Sequence, residues 1–140
     1  MVAFNKFDDT VEQLLTGTHD FNAAGDQMDV YLSNATPSAS LDAVKADLAE
    51  IATGNGYTGP EDMQNDMSET GGTATVTGVD VVITASGGAI ATFRYVVWDN
   101  DTPTSPADPL LGWWDNGSTV DLADGESFTV DFGASVATLA

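Results

Sequence analysis

The stretch Leu110–Phe132, LLGWWDNGSTVDLADGESFTVDF, decides how this chain is read. Val120, Leu122, Phe128, Val130 and Phe132 share even parity, whereas Thr119, Asp121, Ser127, Thr129 and Asp131 share odd parity. In a strand parity selects the face, so one face is apolar and the other wet. Ala123-Asp124-Gly125 fits a three-residue loop with Gly125 left-handed, which sets Val120 opposite Phe128 and Thr119 opposite Thr129 in a hairpin. Asn116-Gly117 is a second turn signal. Trp113 and Trp114 are adjacent, so on a strand they point to opposite faces. One joins the core, the other faces solvent, a ligand or a partner, and together they form no flat sugar platform unless the strand bulges there.

Upstream, TATVTGVDVVITAS and GGAIATFRYVVWDN are rich in the β-branched residues that suit a pleated sheet, and Gly87-Gly88 between them suggests a hairpin. DQMDVYLSN reads as an earlier strand with Met28, Val30 and Leu32 on one face, and SVATLA as a terminal one. Phe7, Val11, Leu14 and Leu15 follow helical spacing, which predicts a short amphipathic helix over 5–16 ending at Gly17. Leu41, Val44, Leu48 and Ile51 predict a second, capped by Ser40 and stopped by Gly54. Residues 53–73 are polar and glycine-rich, and read as a long irregular loop or arm. The expected fold is mainly β. It is an antiparallel β-sandwich or curled sheet, with one or two short helices in the N-terminal half, forming a single domain over 1–140.

Twenty-two acids face three bases in 140 residues, a formal charge of −19. Such a surface repels nucleic acid and anionic membranes, so neither is expected as a partner. Without cysteine there is no disulfide and no thiolate metal site. The N-terminal stretch lacks the basic-then-apolar pattern of a signal peptide, and no apolar run is long enough to span a membrane.

Acid–base and nucleophilic chemistry finds little to work with. His19 is the sole histidine and stands beside Asp20 without a nucleophile at a recognisable spacing. The Gly-Gly pairs lack the lysine and helix of a phosphate loop. Asp99–Thr102, DNDT, is oxygen-rich but lacks the spaced ligands of a calcium loop. Arg94, the sole arginine, is expected to pair either with an aspartate of its own chain or across a subunit boundary. These features point to a non-enzymatic chain without cofactor or metal.

Several landmarks occur in a specific order: Asn5–Phe21 (NKFDDTVEQLLTGTHDF), Asn34–Pro37 (NATP), Gly54–Thr58 (GNGYT), Thr84–Asp101 (TASGG to FRYVVWDND) and Pro109–Phe132. In these the chain resembles small virion structural proteins of tailed phages. The resemblance implies a capsid decoration, or cement, protein on the outer surface of the head. It would act as a homotrimer at local threefold positions and contact the major capsid protein. Arg94, Tyr95, Trp98, Trp113 and Trp114 are then the candidate intersubunit contacts, since aromatics and arginine dominate interface hot spots. The acidic stretch Pro60–Glu69 (PEDMQNDMSE) departs from the pattern and leaves the contacts of that loop open. Two alternatives stand beside this reading: a tail-tube or other tail subunit, and a carbohydrate- or calcium-binding β-sandwich module. Self-repulsion of so many acids predicts that the melting temperature rises from low to molar NaCl as screening shortens. A flat thermal-melting series would count against that electrostatic strain.

Overall fold

The expectation of a mainly β, antiparallel chain holds in the computed structural model, which describes residues 4–140, and of the one or two short helices expected one forms. The strands are β1 (Phe4–Lys6), β2 (Met28–Ser33), β3 (Glu61–Asp62), β4 (Asp66–Thr70), β5 (Thr73–Thr77), β6 (Val81–Thr84), β7 (Phe93–Asn100), β8 (Leu110–Val120), β9 (Ser127–Val130) and β10 (Ala137–Leu139). The helix α1 covers Asp9–Leu15. Strand order is β1-β8-β7-β2-β3 in the largest sheet, β10-β5-β4 in a second and β6-β9 in a third.

The five-stranded sheet is buried on both faces. Met28, Val30 and Leu32 of β2 share one face with Val96, Trp98 and Trp114, and pack against Val76, Val81, Ile83, Val130 and Phe132 of the smaller sheets. Tyr31, Tyr95, Val97 and Leu110 point the other way and meet Phe7 and Leu48. Strands covered on both sides lose strict alternation, which is why YVVW is apolar at consecutive positions. A glycine is required at position 112, because a Cβ there would overlap the Phe4 ring lying across β8.

Parity places the 120–132 side chains correctly, but the pairing differs from the expected hairpin. Leu122, Val130 and Phe132 are buried, and Val120 and Phe128 pack against the same core. Val120, however, pairs with Phe93 of β7, and Phe128 with Ile83 of β6. The turn at Ala123–Glu126 does form, with Glu126 N donating to Ala123 O at 2.9 Å and Gly125 left-handed. Parity fixes a face and leaves the partner strand to the rest of the chain. The second expected hairpin also dissolves. TATVTGVDVVITAS breaks near Gly78 into β5 and β6, which join different sheets, and β7 pairs with β2 and β8.

The second helix does not form. Residues 41–51 run as a strap with one 3₁₀ turn, Lys45–Asp47. Here tertiary hydrogen bonds outcompete a weak local periodicity. Leu110 N donates to Ala43 O, Lys45 N to Asp108 O and Ile51 N to Leu32 O, while the hydroxyls of Tyr31 and Ser33 donate to Leu48 O and Ala49 O. The first helix is shorter than 5–16 and faces the other way. Thr10 is its buried residue, donating to Leu110 O and Leu111 O, and Phe7 is buried just ahead of it. Val11, Leu14 and Leu15 stand exposed.

Residues 53–73 are not an irregular arm. They contain β3 and β4, and β4 turns into β5 through Gly71-Gly72, both left-handed as a two-residue hairpin loop requires. Tyr57 and Met63 are buried there. The Tyr57 hydroxyl accepts from Leu32 N at 3.0 Å and donates to Glu50 Oε1 at 2.5 Å, completing the β2 edge beyond the two-residue β3. Tyr57→Phe strands a buried N–H, so it is expected to cost about 1–3 kcal/mol. Urea unfolding checks this: a lower midpoint with unchanged slope is expected, and a wild-type midpoint contradicts it.

Candidate functional site

Where the five-stranded sheet meets the β10-β5-β4 sheet, their apolar faces part into a groove of about 310 Å³. Phe4 and Lys6 of β1 form one wall, Ala137–Leu139 of β10 another, and Leu14 of α1 closes a side. Trp98, Leu111 and Val76 also line it, with His19 and Phe21 from the segment after the helix. Phe4, Leu14 and Leu139 are large apolar residues left exposed at the rim, Leu139 by 66%.

Aromatic rings organise one side. Trp98 stacks on Trp114 with centroids 6.5 Å apart, and Phe4 lies 6.0 Å from Trp98 and 5.3 Å from Trp114. Phe21 sits between His19 (5.7 Å) and Trp98 (5.9 Å). His19 Nδ1 is 3.0 Å from Asn100 Nδ2, which also donates to Asp26 Oδ2 at 2.8 Å. Burial holds the His19 pKa below its ordinary value, against the pull of the Asp26 and Asp9 carboxylates. The imidazole is therefore neutral near pH 7.

The residues singled out from sequence do not gather at one place. Trp98 and Trp114 are enclosed by this chain's own core, and Tyr95 is buried on the opposite face. That burial leaves Tyr95 and Trp114 little surface to offer another subunit, whereas Trp98, though buried, borders the groove. Trp113 and Trp114 do point to opposite faces. Trp113 is half-buried, 4.6 Å from the Phe7 ring, so the second tryptophan mostly covers the sheet. Arg94 pairs within its own chain: Nε donates to Asp115 Oδ1 at 2.8 Å and Nη2 to Asp115 Oδ2 at 2.9 Å. This fork holds the Asp115 carboxyl below the usual range, aided by the Gly117 N–H. It sits where the β7–β8 register slips, Phe93 facing Val120 but Tyr95 facing Asp115.

DNDT does not converge on a cation. Asp99 is buried among Tyr31, Val97 and their neighbours, while Asn100 turns to His19 and Asp26. Among the described residues no three His, Asp or Glu side chains are grouped to hold a metal ion. A second, acidic groove of about 550 Å³ runs past Asp26, Asp62 and Asp66. Leu14 escaped sequence reading because an apolar helical stripe normally implies burial, and Phe4 and Leu139 because they stand on three-residue strands too short to show a face by alternation. His19 was visible only as an isolated histidine. No family model, curated protein or solved structure matches this chain.

Asp99 and Asp29 face each other directly across β7 and β2, both buried, and neither carboxylate oxygen of Asp99 has a hydrogen-bond partner. Burial pushes Asp99 up to about 8. Lys45 opposes the shift, and Asp29, Asp101 and Asp108 reinforce it. Burial likewise raises Asp29, against a hydrogen bond from Gln27. An unfolded aspartate titrates near about 4, so in the window between, the folded chain holds more protons than the unfolded one. The stability contributed by the protonated acid is complete below the unfolded value and is lost as pH rises through about 8. Asp99→Asn is expected to flatten this fall and to raise the melting temperature at pH 8 by about 4 °C or more. Melting curves across the pH window check it; a slope as steep as wild type would contradict the assignment.

Proposed function

We propose that this chain is a non-enzymatic virion structural protein, a decoration or cement protein on the outer surface of a tailed-phage head. The observation that carries this reading is an apolar rim, Phe4, Leu14 and Leu139, exposed around an apolar groove in a chain of charge −19. Exposed apolar residues grouped at a groove mark a contact surface, and a surface so acidic elsewhere favours contact there over contact at random. The order of landmarks along the sequence supplies the phage context. The partners in this reading are the major capsid protein and further copies of the chain as a homotrimer, with no nucleic acid, membrane or cofactor involved. A strongly anionic protein is better placed outside a shell than against packaged DNA, because like charges repel.

The interface of this proposal shifts from the tryptophans to the groove rim. Arg94 and its aspartate serve the sheet, and Trp98 and Trp114 serve by shaping the groove from beneath. Reinforcement follows from number: each contact is modest, and many copies linking neighbouring capsomers multiply it. Electron cryomicroscopy of purified particles tests the proposal. Threefold clusters of density on the outside of the head are expected. Density confined to the tail would replace this reading with a tail subunit, and absence from particles would remove the virion role altogether.

A further inference from the structure

Two residues of the groove lining, His19 and Trp98, each carry a buried hydrogen-bond donor with nothing to receive it. Asn100 Oδ1 accepts from Thr102 N at 3.1 Å, so its other amide atom is the NH₂ group, as its contact with the Asp26 carboxylate also requires. His19 Nδ1 must then be the acceptor of that NH₂ group. A neutral imidazole with an accepting Nδ1 carries its proton on Nε2. His19 Nε2 is buried without a partner, and so is Trp98 Nε1, which can only donate. Both residues line the groove, on either side of Phe21. Buried donors are rarely left unmade, and here the surrounding lining is largely apolar.

The walls suggest what brings the missing acceptors. Among the described residues β1 and β10 are the terminal strands of their sheets, and both border the groove. Among the described residues no strand pairs beyond β10. A strand edge presents a row of backbone groups to any extended chain laid along it. At about 310 Å³ the groove lies at the lower end of ligand-pocket volumes, and it also suits large side chains entering from such a segment. We infer that the groove receives an extended segment of another protein. Apolar side chains of the segment occupy the groove, and its backbone carbonyls accept from His19 Nε2–H and Trp98 Nε1–H. The chain carries −19 overall but the charged residue of the lining is Lys6, so the segment is neutral around its apolar residues. Both N–H groups are closed off in the free chain, so seating the segment requires the side chains that cover them to change rotamer. This inference rests on the reading of the groove as a contact surface and names the chemistry of what it contacts.

The test uses the full chain, labelled for ¹H–¹⁵N NMR, with N-acetyl-leucine methylamide as the probe and 2-methylpentane as a hydrocarbon of similar shape without the carbonyl. The amide is expected to move both the Trp98 indole N–H and the His19 Nε2–H signals downfield, whereas the hydrocarbon perturbs neighbouring methyl groups and leaves the two N–H signals nearly in place. If the amide, taken to its solubility limit, moves neither N–H, the inference is overturned. Leu139→Asp, a change at an exposed position, should leave the melting curve near wild type, abolish the amide response and lower occupancy on particles about tenfold. Full occupancy of this variant on particles would overturn docking through the groove while leaving the shell reading intact. Absence of the wild-type protein from particles would sink the shell reading, and the two N–H signals would then decide the groove alone.

Discussion

Everything in this molecule depends on covering β7 from both sides. Its backbone is hydrogen-bonded to β2 and β8, and its side chains alternate between two separate apolar clusters. A sheet with two buried faces needs two covers. The β-rich half supplies one from β5, β6, β9 and β10. The N-terminal half supplies the other from Phe7 and the strap around Leu48, held largely by backbone hydrogen bonds. Burial of the strands thus dictates what the less regular segments must do: they cannot be loops in the ordinary sense, because they are the roof of a core.

That requirement separates what the sequence made legible from what it did not. Strand content, the parity of Val130 and Phe132, the opposed tryptophans and the Ala123–Glu126 turn all follow from rules acting over a few residues. Partner choice does not. Whether β9 lies beside β8 or β6 is settled by side chains far away in sequence, and no local pattern carries it. Leu41, Val44, Leu48 and Ile51 show the opposite failure. Their spacing is helical, yet only some of them meet the sheet, and the strap's hydrogen bonds to β2 and the 108–110 segment prevail. At the candidate site, His19 and Trp98 were visible as residue types, but their meeting along one groove is a product of topology.

Polar groups divide between the two faces of the main sheet in a telling way. On the strap side, Asp29 and Asp99 oppose each other under cover, a repulsion relieved by protonation rather than by a partner. On the groove side, the unpaired groups are donors. The first arrangement is closed beneath the strap; the second lies beside exposed apolar residues at a boundary between sheets. Unmet hydrogen-bonding capacity therefore has different meanings a few residues apart on the same strand, and only one of the two positions is suited to meeting another molecule.

The slip in register between β7 and β8 has its own consequence. Asn116–Thr119 stand exposed where β8 departs from its partner, with Gly117 left-handed, and the Arg94–Asp115 fork secures the base of the excursion. Sequence added at such a tip would meet solvent before it met the core. The excursion is thus a seam along which the chain can be lengthened, by evolution or by design, to carry a foreign epitope outward while the sheet beneath keeps its pairing.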